Sequence, residues 1–396
     1  MSAKTAKKCV CERKIEKLPY VISKPGQYCL CKDFVWDDST QAAITILNVE
    51  NVVLNFNQKK ITNNTPTTLG VIAVQNSTNV ELINIHLQGI NGSRGIVSTN
   101  SNNLHISKFQ ILDFNPAIQT FGGDNLVISN FYIKNASPVS GQRSIFVNET
   151  NDVNISDGTI INGRLVFQTN TGLASSQQVV VEKLKINNSL GILFGARALQ
   201  SFGYNNVLVK NNELIGANDV TLIVSGPISQ PIVYSANIVV ENNLVYALAG
   251  RAFQAQQVDG MTLRNNQLKT VTGNGSNFNM VNRALIDNNN ISGQQIPIPG
   301  GIAMTFAGDQ QSSYFNTAKN NFVSGYAIGY SDNSGAVFAA LCTTFFENVA
   351  TGNTKNFDLI HPTTISIDNI SGCEIAPIPD DELNFKEIPT TLLLQE

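Results

Sequence analysis

Short runs of apolar residues at alternate positions recur along most of the chain, and each run ends at one polar residue, usually Asn. The stretch Asn125-Leu126-Val127-Ile128-Ser129-Asn130-Phe131-Tyr132-Ile133 shows the unit. Val80 and Leu82 lead to Asn84, Val207 and Val209 to Asn211, Ile238 and Val240 to Asn242, and Met261 and Leu263 to Asn265. In register, that position is held by Asn84, Lys108, Asn130, Asp157, Lys183, Asn211, Asn242, Asn265, Asn288 and Asn320. The nine steps from Asn84 to Asn320 average about 26 residues, a period that marks a solenoid.

Alternation of period two makes each run a half-buried strand with Val, Ile or Leu inward. Asn tolerates the left-handed backbone that a tight turn after the strand needs. In stacked coils, side chains at this position fall about 4.8 Å apart, so each Asn is expected to bond the amides above and below it. A second strand follows each of these residues, as in Phe109-x-Ile111, Phe131-x-Ile133 and Leu184-x-Ile186. After a variable loop comes a third, as in Gly95-Ile96-Val97, Ile145-Phe146-Val147 and Leu193-Phe194. Extra residues collect between second and third strands, at Ile90 to Arg94, Ala136 to Arg143, Ala217 to Gln230 and Gln294 to Gly301. With no helical period, the pattern predicts an all-β, single-stranded right-handed parallel β-helix of about 11–12 coils with three strands per coil. A leucine-rich repeat would need an L-x-x-L-x-L frame, which is absent.

The predicted organisation is a cap over residues 1–43, coils over 44–372 and a tail over 373–396. The tail holds Pro377, Pro379 and Pro389 and cannot continue a coil, so it reads as a strap over the end or an arm to a second copy. An open solenoid end exposes strand edges and core, so caps are required.

Composition then narrows the function. Charged residues make up only 14% of the chain and the net charge is −3, which argues against a nucleic-acid binder held by bulk charge. No run approaches the roughly 18 apolar residues of a membrane span. The first residues, Met1 to Val10, lack the apolar run of a secretory signal. The expectation is synthesis in the cytosol and delivery to any outer surface by another route, such as packaging into a virion or particle.

The cap holds two C-x-C pairs, Cys9/Cys11 and Cys29/Cys31. Tyr28 and Leu30 share the inward parity, which puts Cys29 and Cys31 together on the opposite face, and Cys9 and Cys11 also share a face. If the two strands pair, four sulfurs converge. A zinc site, paired disulfides and free thiols all fit, although C-x-C is a less usual spacing for zinc than C-x-x-C. Cys342 and Cys373 stand alone near the far end.

The line Pro25-Gly26-Gln27-Tyr28-Cys29-Leu30, then Ala43-Ile44-Thr45-Ile46, then Asn51-Val52-Val53-Leu54-Asn55-Phe56, resembles the opening coil of right-handed β-helix proteins of the pectate-lyase-like superfamily. It is most similar to the repeat-only branch that includes NosD-type proteins. It departs from them at Leu54 to Gln58, where that family often has Asp and Gly. The resemblance implies the fold over most of residues 20 to 372 and says almost nothing about activity.

Enzymes of this superfamily carry recognisable residues, and few are found here. Of the polygalacturonase-like pattern only Asn356-Phe357-Asp358 fits its N-x-D, while G-H-G and R-x-K are absent and the D-D pairs lie at Asp37-Asp38 and Asp380-Asp381. Carboxylates are scattered over different coil positions, with no calcium cluster. Asp152 and Asp157 fall where Asp replaces a turn Asn. His86 and His105 sit at outward strand positions as solvated surface residues.

One constellation stands out. Arg94, Arg143 and Arg164 each precede by three residues a third-strand position held by Val97, Phe146 and Phe167, and Phe194 continues that position. An aromatic stripe beside Arg would stack on sugar rings and pair with carboxylate or sulfate. The alternative is that these Phe fill the core, which the shared parity of Leu165 and Phe167 favours. The expected function is a non-catalytic structural or attachment protein presenting loops or a glycan-binding side. A polysaccharide lyase or hydrolase is the runner-up, and a cytosolic scaffold or metal-handling role would rest on the cysteines and the NosD-like resemblance.

Overall fold

The computed structural model describes residues 11–136, 143–169, 178–189, 191–196, 203–216, 222–225, 234–293, 298–308, 313–332 and 340–372. Among them there are strands and no α-helix, and every strand pairing is parallel to the equivalent strand of the next coil. The chain is a right-handed parallel β-solenoid with three strands per coil, as the alternation predicts.

Three sheets run along the solenoid. In the first, Val80, Leu104, Leu126 and Val153 lie over one another, as do Leu82, Ile106, Ile128 and Ile155. In the second, Leu87, Ile111, Ile133 and Ile160 stack. In the third, Ile72, Ile96, Ile118, Ile145 and Leu165 do so. The predicted inward residues Ile128, Val209, Val240, Leu263 and Ile286 are all fully buried in one continuous core.

The coils begin earlier than the boundary at residue 43. Tyr20–Ile22 pairs with the strand at Ile44, Gly26–Leu30 with the strand at Val52, and Phe34–Trp36 with the strand at Ile61. Among the described residues, Arg13–Ile15, paired to Tyr28–Leu30, is the only strand that precedes the first full coil. At the other end Ile365–Ile367 and Ile370–Ser371 stack on the coil before, and Ile365, Ile367 and Ile370 are exposed. The expected tail from Cys373 and residues 137–142, 217–221, 226–230 and 294–297 of the expected loops lie outside the described residues, whereas Leu222–Ser225 and the residues from Ile298 onward, expected as loop, are strand.

All ten recurring positions from Asn84 to Asn320, including Lys108, Asp157 and Lys183, take the left-handed conformation, with φ between 53° and 56°. They turn the chain from first to second sheet, and Asp157 serves that turn while pairing with Lys183 at 3.9 Å. A second left-handed column turns it from third to first sheet, and there exposed Asn79, Asn103 and Asn125 each donate from Nδ2 to the Asn Oδ1 one coil earlier.

The expected buried amide ladder exists, but one residue later. Asn212, Asn243, Asn266, Asn289, Asn321 and Asn348 are at most 2% exposed. Asn266 shows the pattern: its backbone N–H and Nδ2 both donate to Asn289 Oδ1 at 3.0 Å, and Nδ2 also donates to Val240 O. A residue in left-handed conformation points its side chain out of the corner, so the following residue is the one that turns in. In earlier coils the same inward position holds Phe109 and Phe131, stacked at 5.2 Å, and then Gly158.

Gly158 leaves room for that stack, since a Cβ there would lie 2.2 Å from the Phe131 ring. Gly158→Ala should destabilise by about 1–3 kcal/mol through overpacking. The check is urea unfolding of variant and parent side by side.

Candidate functional site

The outward side of the third sheet carries the densest unusual chemistry. Its strands alternate Ile96 and Ser98 inward with Val97 and Thr99 outward. One outward row runs Ala73, Val97, Gln119, Phe146, Val166 and Leu193, and after the strand Leu222–Ser225 continues as Gln254, Asn277 and Thr305. Five of these nine are apolar, and Ala73, Val97, Phe146 and Val166 are buried.

The six residues of the Arg–Phe constellation divide here. Phe167 and Phe194 do stack, 4.5 Å apart and within 4° of parallel, but they are 1% and 0% exposed and lie in the core. Phe146 aligns with Val166, not Phe167, because a register shift falls between Arg143 and Ile145. Of the expected aromatic stripe only Phe146 lies on the outward side, with its ring 4.4 Å beneath the Arg143 guanidinium and 6.4 Å from Phe121. Arg143 and Arg164 are direct neighbours in adjacent coils. Arg94 lies along the same edge, donating from its guanidinium to Thr68 O at 2.9 Å.

Further along the same face the row turns polar. Gln254, Asn277 and Thr305 occupy it, with Gln256 and Asn279 in the row beside it. Asn277 Oδ1, Asn279 Oδ1 and Thr305 Oγ1 are buried with no hydrogen-bond partner. Gln257, at the turn that ends the strand, is wholly buried with neither amide atom bonded. Buried polar atoms are almost always bonded to protein or to ordered water, so these atoms have hydrogen-bonding capacity that the protein itself does not use. The sequence signal for it was present in the parity of Phe146, Gln254 and Asn277, but amides look like ordinary strand polarity until burial is known.

Elsewhere the outer face carries shallower features. A groove of about 540 Å³ is lined by His86, Lys108, Gln110 and Tyr132 on the second sheet. His86 titrates below its ordinary range, because burial and then the nearby Lys60 disfavour its charged form. Asp152 takes the left-handed turn conformation at φ 49°, a structural role.

In the cap, Cys11 and Cys29 form a disulfide, with Cα atoms 6.2 Å apart. Cys31 is disulfide-bonded as well, and its Sγ lies 3.9 Å from that of Cys29. The structure thus holds these cysteines as disulfides, not as free thiols. Tyr28 and Leu30 point inward, as the parity predicts, with Cys29 behind them. Cys9 lies outside the described residues, and Cys342 is free and exposed.

No family model matches the chain, and no curated protein matches it. Solved structures do. A tailspike double mutant of E. coli bacteriophage HK620, in complex with a pentasaccharide, aligns over 88% of this chain and 72% of its own, with a TM-score of 0.52 and 12% identity. The A-module of the mannuronan C-5 epimerase AlgE6 of Azotobacter vinelandii aligns over 88% and 91%, with a TM-score of 0.47 and 12% identity. Tailspike protein 3 of bacteriophage CBA120 covers 92% of this chain and 57% of its own, at a TM-score of 0.43 and 12% identity. At such identity the likeness concerns the path of the chain, the right-handed β-helix, and no residue's role.

Proposed function

We propose that this protein is a non-catalytic glycan-binding β-helix of a virion or other particle surface, and that the outward side of its third sheet is the binding face. The observation that supports this reading is the group of unbonded buried polar atoms at Asn277, Asn279 and Thr305. Sugar hydroxyls donate and accept at once, so they suit a row of amides better than an apolar or purely cationic ligand does. Phe146 and the neighbouring Arg143 and Arg164 lie on the same face and add an aromatic surface and positive charge for an acidic sugar. A tailspike of the same fold holds a pentasaccharide. The tail over 373–396 remains the proposed route to a homo-oligomer.

The test is binding and turnover against a panel of neutral and acidic polysaccharides. Asn277→Ala with Asn279→Ala should lower affinity for the captured glycan at least tenfold with no change in melting temperature. Arg143→Ala with Arg164→Ala should flatten the salt dependence of binding to an anionic glycan, because exposed charge contacts are screened within about 8 Å at physiological salt. Unchanged binding in both variants would move the site elsewhere. Steady release of reducing or unsaturated ends would replace the binding role by a lyase or hydrolase.

A further inference from the structure

The cap sulfurs form a cluster that the glycan-binding face does not involve. Sγ atoms of Cys11, Cys29 and Cys31 all lie within 4.8 Å of one another. Cys29 is 3% exposed, while Cys11 and Cys31 are half-buried, so a small ion reaches the cluster from one side. The cluster sits where Arg13–Ile15 joins the first coil, with Lys14 aligned beside Cys29. Arg13 lies over the Tyr28 ring and donates to its hydroxyl.

We propose that this is a two-state site: disulfides when oxidised, and a thiolate site for zinc when reduced. Zinc bound tetrahedrally by thiolates has Zn–S bonds of about 2.3 Å, which puts its sulfurs about 3.8 Å apart. Cys29 and Cys31 already stand at 3.9 Å. The Cys11–Cys29 disulfide and the disulfide that holds Cys31 must both open, while Arg13–Ile15 stays paired with Tyr28–Leu30. Three thiolates around a divalent ion leave one net negative charge, and Lys14 is aligned beside Cys29 in the neighbouring strand.

The chemistry balances with a small thiol as reductant. Two equivalents convert each disulfide into two protein thiols and leave one small-molecule disulfide. Metal binding then displaces one proton from each ligating thiol. In either state the first strand is fastened to the first coil, so the cap stays closed in a reducing compartment and after release into an oxidising one.

The experiment uses the full chain and cobalt alone as the probe, since thiolate–cobalt charge-transfer absorption reports sulfur ligation directly. Protein reduced with a small thiol, then freed of it, should keep its β circular dichroism and take up one cobalt per chain with those bands. Oxidised protein should show none, and zinc should displace the cobalt. Cys29→Ser should weaken uptake at least tenfold, whereas Cys342→Ser should leave it unchanged and so exclude the lone surface thiol. The proposal is overturned if reduced, folded protein shows no charge-transfer band, or if the band survives Cys29→Ser. Reduction that abolishes the β signal with and without metal would overturn it equally.

Discussion

Leu263→Asp should abolish the cooperative fold or lower its stability by more than about 4 kcal/mol. Leu263 is fully buried in the first sheet, between Val240 of one coil and Ile286 of the next. A carboxylate there would lie among aliphatic side chains with no cation within the core to meet it. The cost would also spread, because in a solenoid each coil supplies the core for its neighbours. Soluble yield and a thermal melt read the effect. A variant that melts within a few degrees of the parent would show that position 263 does not face the core, and would refute the inward register of the whole sheet.

The second large effect belongs to the amide ladder. Asn289 accepts from the backbone N–H and Nδ2 of Asn266, and its own Nδ2 donates to Leu263 O, Asp287 O and Asn321 Oδ1. Asn289→Leu would leave several of these buried groups without a partner, each worth about 1–3 kcal/mol. We expect a loss of about 4 kcal/mol or more. The neighbouring Asn288 is the control. It is exposed and left-handed at φ 53°, a conformation glycine takes without strain, so Asn288→Gly should change stability by less than about 1 kcal/mol. Denaturant midpoints of the pair separate the two roles. Equal effects at 288 and 289 would remove the distinction between turn and ladder.

Some determinants act without any such ladder. Outward in the first sheet, Glu182, Lys210, Glu241, Arg264, Asp287 and Lys319 alternate in sign through six successive coils. Within it Lys210 pairs with Glu182 at 3.2 Å, Arg264 with Glu241 at 2.6 Å and Lys319 with Asp287 at 3.5 Å. Surface pairs contribute at most about 1 kcal/mol each. Their effect is on register, because a slip by one coil would bring like charges together.

Much of this was legible in the residues. Alternation of Val, Ile and Leu fixed which side chains face inward, since the strand period is two and a buried face tolerates no slip. The spacing of about 26 residues set the coil, and the run from Asn84 to Asn320 marked its left-handed corners. What the sequence could not decide is which member of each Asn pair turns in. Asn265-Asn266 and Asn288-Asn289 read alike until the backbone commits one residue to the left-handed corner and so sends the next inside. Nor could it locate the register shift beside Arg143, which depends on how neighbouring coils pair and which parts Phe146 from the buried Phe167 and Phe194. Burial of the Asn277 and Asn279 Oδ1 atoms and of Thr305, and the closeness of three cap sulfurs, are likewise products of stacking. The sequence by itself determined the coil and its inner face, because those follow from local periodicity. Only the tertiary structure decided the chemistry of the outer faces, because that depends on which residues meet across coils.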